Sequence, residues 1–533
     1  MRINKKYNIL FYNKRFRMSQ QESEFGKLRA FFWPIHGHEV KKVLPMMLML
    51  FLICFNYSIL RNVKDAVVVT AKASGAEVIP FIKVWVLLPT AVLFTLIFTK
   101  LSNRFSQEKV FYIVISTFLL FFGSFTYIFY PLRDVLHPHQ LCDYLETILP
   151  AGFKGLIAMF RNWSFTLFYV ICELWGSIVL TVLFWGFANE ITKMTEARRF
   201  YSMLGVIASF AATIAGIIAN LLSNDQSWEQ TLNILMVAVI VSGTIAMGIF
   251  RWMNKNVLNG PEFQEFHEAK RIQKMKKRLS IRESFNYLAN SKYLICIAVL
   301  VVSYNLVINL VEIVWKDQLR QLYSSALDYN RYMNNMTSAV GIIATITSLF
   351  MSTMITRFGW TRTALVTPTI MLVTSVGFFA FMLFRNDLAD PVYILTGTTP
   401  LTIAVFFGAA QVCMSKACKY SVFDSTKEMA FIPLDYESKL KGKAAIDGVG
   451  SRLGKSGGSL IHQSLLMIFA TVSSSAPYVA VILIGVIIVW MLCVRSLGKQ
   501  FAAIIGEKAR EDIGESTPRT SEEQVLHPLK AAS

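Results

Sequence analysis

The chain has 533 residues, of which 54% are hydrophobic and only 16% are charged, and its mean hydropathy is +0.47. Because soluble domains carry about 25% charged residues, this composition excludes an ordinary water-soluble fold. The formal net charge is +19, but the basic residues lie mainly in loops and in the N-terminal segment, without the aromatic-rich basic helices of nucleic-acid-binding proteins. We therefore expect no nucleic-acid partner, and an excess of positive charge that suits an anionic substrate.

Apolar runs of about 20 residues recur along the chain, and each is long enough to cross a bilayer as a helix. The period-2 alternation of a β-barrel strand is absent from them, for example from the run at 43–55. The pattern predicts an all-α membrane protein with about 12 transmembrane helices in two six-helix, pseudo-symmetric halves. The predicted helices are 43–62, 79–100, 110–131, 162–188, 201–223 and 230–251 in the first half, and 291–314, 335–356, 363–384, 392–415, 443–472 and 476–496 in the second.

The distribution of charged residues along the chain predicts the boundaries of the remaining segments. A basic segment at 1–42 precedes the first half at 43–251, a basic connector at 252–290 precedes the second half at 291–498, and a polar tail occupies 499–533. Basic loops stay on the cytoplasmic side of a membrane, so we expect a bacterial inner-membrane protein with both termini in the cytoplasm. The tail has little to bury, and we expect it to be disordered.

The segment at 131–161 is too polar to span a bilayer, but its apolar residues from Leu141 to Leu149 recur at helical spacing. This spacing predicts an amphipathic helix that lies on the outer membrane surface.

Four ionisable residues lie in or beside the apolar runs, where a charge costs about 2.5–3.5 kcal/mol unless it faces a wet cavity. They are Lys64, Glu173, Glu312 and Lys443. Each also has a simpler interpretation: Glu173 and Glu312 could pair with a base on a neighbouring helix, Lys64 could extend to the membrane surface, and Lys443 could belong to a basic flank. Their depth favours a substrate-binding or coupling role.

A second set of polar residues surrounds these four. Lys443, Asp447, Ser451 and Lys455 follow at i, i+4 spacing and so share one face of the eleventh helix. The second-tier candidates are Arg61, Asp447, Arg452, Lys455 and Lys439. Residues 448–456 nearly match a phosphate-binding loop, but Val449 replaces the required glycine and no strand precedes it, which argues against ATP hydrolysis.

The seven cysteines are scattered, mostly inside apolar runs, and the two His-x-His pairs, at 36–38 and 137–139, lack further ligands at metal-site spacing. We therefore expect no metal, no cofactor and no catalytic residue. Aromatic residues near the charges, among them Trp175 and Trp315, could stack on a purine, but most are expected to be core or membrane-belt residues.

Several motifs together resemble the ATP/ADP translocase family of obligate intracellular bacteria and plastids, with a chlamydial-type ATP/ADP exchanger as the expected member. The motifs are Ile59–Asp65 (ILRNVKD), Cys172–Trp175 (CELW), 190–205 (EITKMTEARRFYSMLG) and 436–447 (YESKLKGKAAID). The resemblance covers about 40–500 and implies a major-facilitator-like fold that imports ATP in exchange for ADP and phosphate, with one chain per pathway. The charged positions of that family correspond here to Lys64, Glu173, Glu312 and Lys443.

Two other functions stay open from the sequence. The same family contains proton-coupled nucleotide importers, in which Glu173 or Glu312 would carry the proton. A membrane-embedded transferase would require a cluster of His, Asp and Ser at one membrane face, and the sequence offers no such cluster.

Overall fold

The computed structural model describes residue 33 and residues 35–192, 194–224, 226–258, 291–434, 442, 446 and 450–514. These residues are almost entirely helical and contain no β-strand. Lys439, Lys443, Asp447 and most of the predicted connector lie outside the described residues.

Long helices follow one another along the chain, as the sequence predicts. They are α1 (Val40–Val69), α2 (Val78–Arg104), α3 (Gln107–Phe129), α4 (Trp163–Ile191), α5 (Met194–Leu222), α6 (Trp228–Asn256), α7 (Lys292–Leu322), α8 and α9 (the two limbs of Ala326–Leu383, before and after Gly359), α10 (Pro400–Cys418), α11 (Ser451–Phe469) and α12 (Val472–Gly514). Among the described residues, 10 helices are long and apolar enough to cross a membrane. The exceptions, α8 and α11, carry more polar residues, among them Asn334 and Lys455.

The predicted ends fall short where polar residues continue a helix. The structure extends α7 to Leu322, eight residues past the predicted end at 314, and α12 to Gly514, past the predicted boundary at 498. The first part of the predicted disordered tail is therefore helical. Apolar patterning ends at the membrane surface, whereas the alanines and charged helix formers after Phe501 maintain the helix beyond it.

Local signals place two of the helix starts and a sharp break at Gly359. Ser227 and Gln230 form a reciprocal capping box before α6. Thr399 caps α10, which begins with Pro400, a residue that lacks the N–H group a first turn leaves unpaired. Gly359 separates α8 from α9 with φ 78° and ψ 169°, a conformation that side chains with a Cβ atom rarely adopt.

Buried tryptophans join helices within each half. The Trp175 indole of α4 donates to the Ile53 carbonyl of α1 at 3.2 Å. In the second half, the Trp315 indole of α7 donates to the Val405 carbonyl of α10 at 3.1 Å. Both indoles are fully buried, so the N–H group of each ring has the hydrogen-bond partner that burial requires.

The two halves meet through polar contacts at one end of the bundle. This is the end at which α1 and α5 terminate. There the Asn62 amide of α1 donates to Asn334 at 2.8 Å and to Thr337 at 3.0 Å, both on α8. The Ser338 hydroxyl donates to the Thr213 carbonyl of α5 at 3.1 Å. Neutral hydrogen bonds therefore connect the first half with α8 at this end.

The segment between α3 and α4 forms short helices, including His139–Ile148 and Lys154–Arg161. The first is amphipathic as predicted: Tyr144 and Ile148 are 64% and 57% exposed, while Cys142 on the opposite face is fully buried. The Arg161 guanidinium is buried and pairs with Asp143 at 2.5 Å and with Glu146 at 3.0 Å. Arg161 therefore holds this amphipathic helix against the bundle.

We predict that Arg161→Gln lowers the free energy of unfolding by about 1.5–3 kcal/mol, the range for a hydrogen bond to a charged group. Thermal unfolding of the purified protein in detergent measures this. Arg133→Gln is the matched control, because Arg133 pairs with Glu229 at an exposed site where ion pairs contribute about 0–1 kcal/mol. Equal losses in the two variants would contradict the assignment.

The pair of Arg161 and Asp143 also predicts how the stability of the protein depends on pH. The hydrogen bond from Arg161, with the positive charge of Arg161 in support, holds the pKa of the Asp143 carboxyl below its ordinary value. A depressed folded-state pKa contributes stability above the unfolded pKa, and that stability is lost as the pH falls through the folded pKa. The stability difference between wild type and Arg161→Gln should therefore shrink in acid.

Candidate functional site

Three of the four predicted charged residues lie together in the structure. Lys64 of α1 pairs with Glu173 of α4 at 3.0 Å, and Glu312 of α7 belongs to the same group of charges. The fourth, Lys443, lies outside the described residues, so its proposed role stays a prediction.

These residues belong to a chain of alternating charges that runs through the middle of the bundle, which we call the charge ladder. Its order is Glu173, Lys64, Asp65, Lys316, Glu312 and Lys416. The successive N–O distances are 3.0, 2.8, 2.8, 3.5 and 3.1 Å. Three carboxylates thus alternate with three lysines, and the ladder as a whole is neutral. Because each charge lies beside an opposite one, none of the six is left as an uncompensated charge inside the protein.

Burial differs along the ladder. The side chains of Lys64, Asp65 and Lys316 are 2%, 1% and 3% exposed, whereas those of Glu173, Glu312 and Lys416 are 26%, 18% and 15% exposed. The Lys64 ammonium also lies 3.8 Å from the centre of the Tyr169 ring, a cation–π contact that is stronger away from water. The middle of the ladder is therefore sealed, and its outer carboxylates are accessible.

The centre of the ladder joins the two halves. Glu173 and Lys64 belong to the first half, whereas Glu312 and Lys416 belong to the second. Asp65 accepts from Lys64 with one carboxylate oxygen and pairs through the other with Lys316 of α7. The ladder therefore consists of two ion pairs within each half and a central pair, Asp65 and Lys316, that crosses between the halves.

Stretches of π-helix occur beside several charged residues. Lys83 lies inside the π-helical stretch of α2 at Ile82–Leu87, Glu173 shortly precedes the one in α4 at Trp175–Phe184, and Lys416 precedes the one at Lys419–Phe423. A π-helical turn holds an extra residue, so it rotates the following side chains relative to the preceding ones, and such turns are frequent at functional sites.

The second-tier residues occupy the surroundings of the ladder. The positive charge of Arg61 interacts electrostatically with Glu312 and Lys416. Lys455 and Arg452 of α11 are exposed, and the charge of Lys455 acts on both Glu173 and Glu312. Asp447 and Lys439 lie outside the described residues. Trp175, Trp315 and Tyr304 are 0–2% exposed, so these three rings are core residues, as expected for most of the aromatic residues near the charges.

Sequence reasoning did not select Asp65, Lys316, Lys416 or Lys83 as site residues. The predicted helices 291–314 and 392–415 ended two residues before Lys316 and one residue before Lys416, so the cost of burying a charge was not applied to them. Lys316 follows Glu312 at i+4 spacing, which could have identified it. Lys83 lies inside the predicted helix 79–100, and the same cost argument would have selected it.

A separate cavity of about 460 Å³ lies in the first half, between the start of α3 and the ends of α4 and α6. Its lining includes Glu108, Phe187 and Arg251 and none of the ladder residues. All of the lining residues that the structure describes belong to the first half, so no described residue of the second half contributes to this cavity.

Comparisons with known proteins agree with this architecture. The solved D-xylose-proton symporter superposes with a TM-score of 0.53 at 11% identity, over 84% of this chain and 96% of that one, and this likeness shows a major-facilitator-like fold. "ADP,ATP carrier protein 1" of Chlamydia pneumoniae is 47% identical over 94% of this chain and 99% of its own length.

More distant relatives carry similar names. "ADP,ATP carrier protein 1, chloroplastic" of Arabidopsis thaliana is 42% identical over 90% of this chain and 77% of its own, and "ADP,ATP carrier protein 1" of Rickettsia typhi is 38% identical over 92% and 99%. The model of the TLC ATP/ADP transporter family matches residues 18–501. The chain is therefore a multi-pass membrane protein that belongs to the TLC ATP/ADP transporter family.

Proposed function

We propose that this chain imports ATP in exchange for ADP and phosphate by alternating access. The observation that carries the proposal is the charge ladder, whose central pair, Asp65 and Lys316, joins the two halves at 2.8 Å. Family membership supports the nucleotides as substrates. Alternating access requires two halves that separate first on one side of the membrane and then on the other, and the ladder crosses between them.

Phosphate can take the place of carboxylate in the ladder. The oxygens of a phosphate chain accept hydrogen bonds from lysine ammonium groups in the same way as carboxylates do. Lys64 and Lys416 are held by Glu173 and Glu312, the two partly exposed carboxylates. A nucleotide that binds against them replaces one anionic partner with another, so neither lysine is left unpaired. Lys443 is proposed to attract phosphate as well.

The same arrangement accounts for coupling. Removing one partner from a buried ion pair costs about 3–5 kcal/mol, so separation of Asp65 from Lys316 is costly in the empty carrier. Bound phosphate lowers this cost by supplying a partner for the released lysines. We propose that Glu173 and Glu312 transmit nucleotide occupancy to the central pair, and that the empty carrier therefore reorients slowly.

The expected setting is a bacterial inner membrane with both termini in the cytoplasm. The Lys and Arg residues of 1–42 and 252–290 support this orientation through the positive-inside rule. Because both halves belong to one chain, a monomer is proposed to form a complete pathway.

We predict that purified protein in liposomes takes up labelled ATP when the vesicles contain ADP, and that a proton uncoupler leaves this uptake unchanged. Exchange is driven by the nucleotide gradients themselves. Uptake into empty vesicles that the uncoupler abolishes would instead support proton-coupled import, in which Glu173 or Glu312 carries the proton. No uptake under any condition would overturn the nucleotide assignment.

Lys64→Gln should lower ATP uptake about tenfold or more, because it leaves Asp65 and Glu173 without one of their partners and removes a proposed phosphate contact. Uptake rates are normalised to the amount of protein inserted, as determined by surface labelling. Normal insertion together with uptake equal to that of wild type would remove Lys64 from the proposed site.

The double substitution Asp65→Asn with Lys316→Gln should produce uncoupled transport. It removes the pair that joins the halves and leaves a neutral pair in each half, Lys64 with Glu173 and Glu312 with Lys416. Uptake into vesicles without internal nucleotide should therefore rise several-fold relative to wild type.

The matched control for that variant is Arg133→Gln with Glu229→Gln, which removes a neutral pair inside the first half. The control should still require internal ADP for uptake. If the ladder variant transports ATP and depends on internal ADP as strictly as the control does, the central pair does not enforce coupling.

A further inference from the structure

Lys83 lies beside the charge ladder but has no carboxylate partner among the described residues. Its ammonium donates to the neutral amide oxygen of Asn309 on α7 at 3.0 Å. The side chain is half-buried, and it projects from the π-helical stretch of α2. Each lysine of the ladder, by contrast, lies within 3.1 Å of a carboxylate oxygen.

An unpaired lysine in a membrane helix is costly, at about 2.5–3.5 kcal/mol on insertion scales. A hydrogen bond to an amide oxygen offsets only part of that cost, since it supplies no opposite charge. The chain places a lysine at this position, and an anionic ligand would complete its environment. We infer that Lys83 binds a phosphate group of the transported nucleotide; this inference rests on the proposed function.

The surroundings place Lys83 where the phosphate chain is expected. The positive charge of Lys83 interacts electrostatically with the carboxylates of Glu312 and Glu173. Lys455 of α11 interacts electrostatically with the same two carboxylates. Both lysines therefore lie close enough to the accessible carboxylates of the ladder to interact with them. Because the six ladder charges sum to zero, the positive charge that favours an anion comes from residues outside the ladder, such as these two lysines.

Helix packing brings α2, α7 and α11 together around Lys83. Asn309 holds the Lys83 ammonium, and a Cβ atom added at Gly458 of α11 would lie 2.9 Å from the Asn309 Cβ atom. A Cβ atom at Gly454 would lie 2.7 Å from Asn305 in the same way. These two glycines let α11 approach α7 closely, so Lys455 is carried on a helix that packs directly against the residues that hold Lys83.

Lys83 is better placed than Lys64 to make the first contact with phosphate. Lys64 is 2% exposed and is paired with two carboxylates, so a ligand must displace a partner to reach it. Among the residues that the structure describes, Lys83 has only the neutral Asn309 amide as a partner to exchange. A flexible ammonium group is suited to this because it binds phosphate as a compact charge without requiring one fixed orientation.

The alternative is a structural role, in which Lys83 and Asn309 simply join α2 to α7. The two interpretations differ in what Asn309→Ala does. That substitution removes the hydrogen bond but keeps the charge, so it should leave nucleotide affinity within about twofold of wild type if Lys83 is a phosphate ligand. If Lys83 and Asn309 form only a structural link, Asn309→Ala and Lys83→Gln should weaken nucleotide binding to the same extent.

The test measures equilibrium binding of ATP, ADP and inorganic triphosphate to the purified full-length protein in detergent. Lys83→Gln should weaken the binding of each about tenfold, the effect of losing one charged hydrogen bond, and Lys83→Arg should restore most of the affinity. Lys100→Gln is the matched control, because Lys100 is exposed near the far end of the same helix. Thermal unfolding of each variant establishes that it is folded.

Three results would overturn the inference: unchanged affinity in folded Lys83→Gln, equal losses in Lys83→Gln and Asn309→Ala, or an equal loss in Lys100→Gln. These results are distinguishable from failure of the proposed function. If wild-type protein neither binds nor exchanges nucleotides, the proposed function fails. If wild-type protein exchanges nucleotides and Lys83→Gln binds them with unchanged affinity, only the role of Lys83 is ruled out.

Discussion

The carboxylate of Asp65 is the contact on which the arrangement of the site depends. It pairs with Lys64 on its own helix and with Lys316 of the other half, both at 2.8 Å and both almost fully buried. Without Asp65, Lys64 would keep only Glu173 as a carboxylate partner and Lys316 only Glu312 among the described residues, and loss of one partner is costly in a low-dielectric interior. The remaining charges follow from it, since Glu173 and Glu312 complete the environment of one lysine each, and Lys416 balances Glu312. A neutral ladder is the arrangement that lets the halves share charged groups inside a membrane.

Much of this architecture could be predicted from the sequence because the bilayer imposes simple rules. Length and hydropathy located the helices, and the cost of buried charge selected Lys64, Glu173 and Glu312. The same rule failed at Lys316 and Lys416, because polar residues near a helix end resemble the start of a loop. Pairing between Asp65 and Lys316 could not be predicted, since their positions in sequence carry no information on which helices face each other.

The π-helical stretches were also beyond sequence reasoning. A run such as Trp175–Phe184 has the same apolar composition as an ordinary membrane helix, so its residue types do not mark the π-helical turn. These stretches matter for the site because they set the direction of the side chains near them, Lys83 among them. The helices could thus be located in advance, whereas the rotation of their faces could not.

Lys64 and Asp65 are consecutive residues, so their side chains leave α1 about 100° apart. Lys64 pairs with Glu173 of the first half, and Asp65 reaches Lys316 of the second. Because one rigid backbone carries both, a small rotation of α1 about its own axis changes the two contacts together. In the proposed transport cycle, α1 therefore carries both the contact to the nucleotide, through Lys64, and the contact to the other half, through Asp65. A long relay of residues between the two contacts is then not needed.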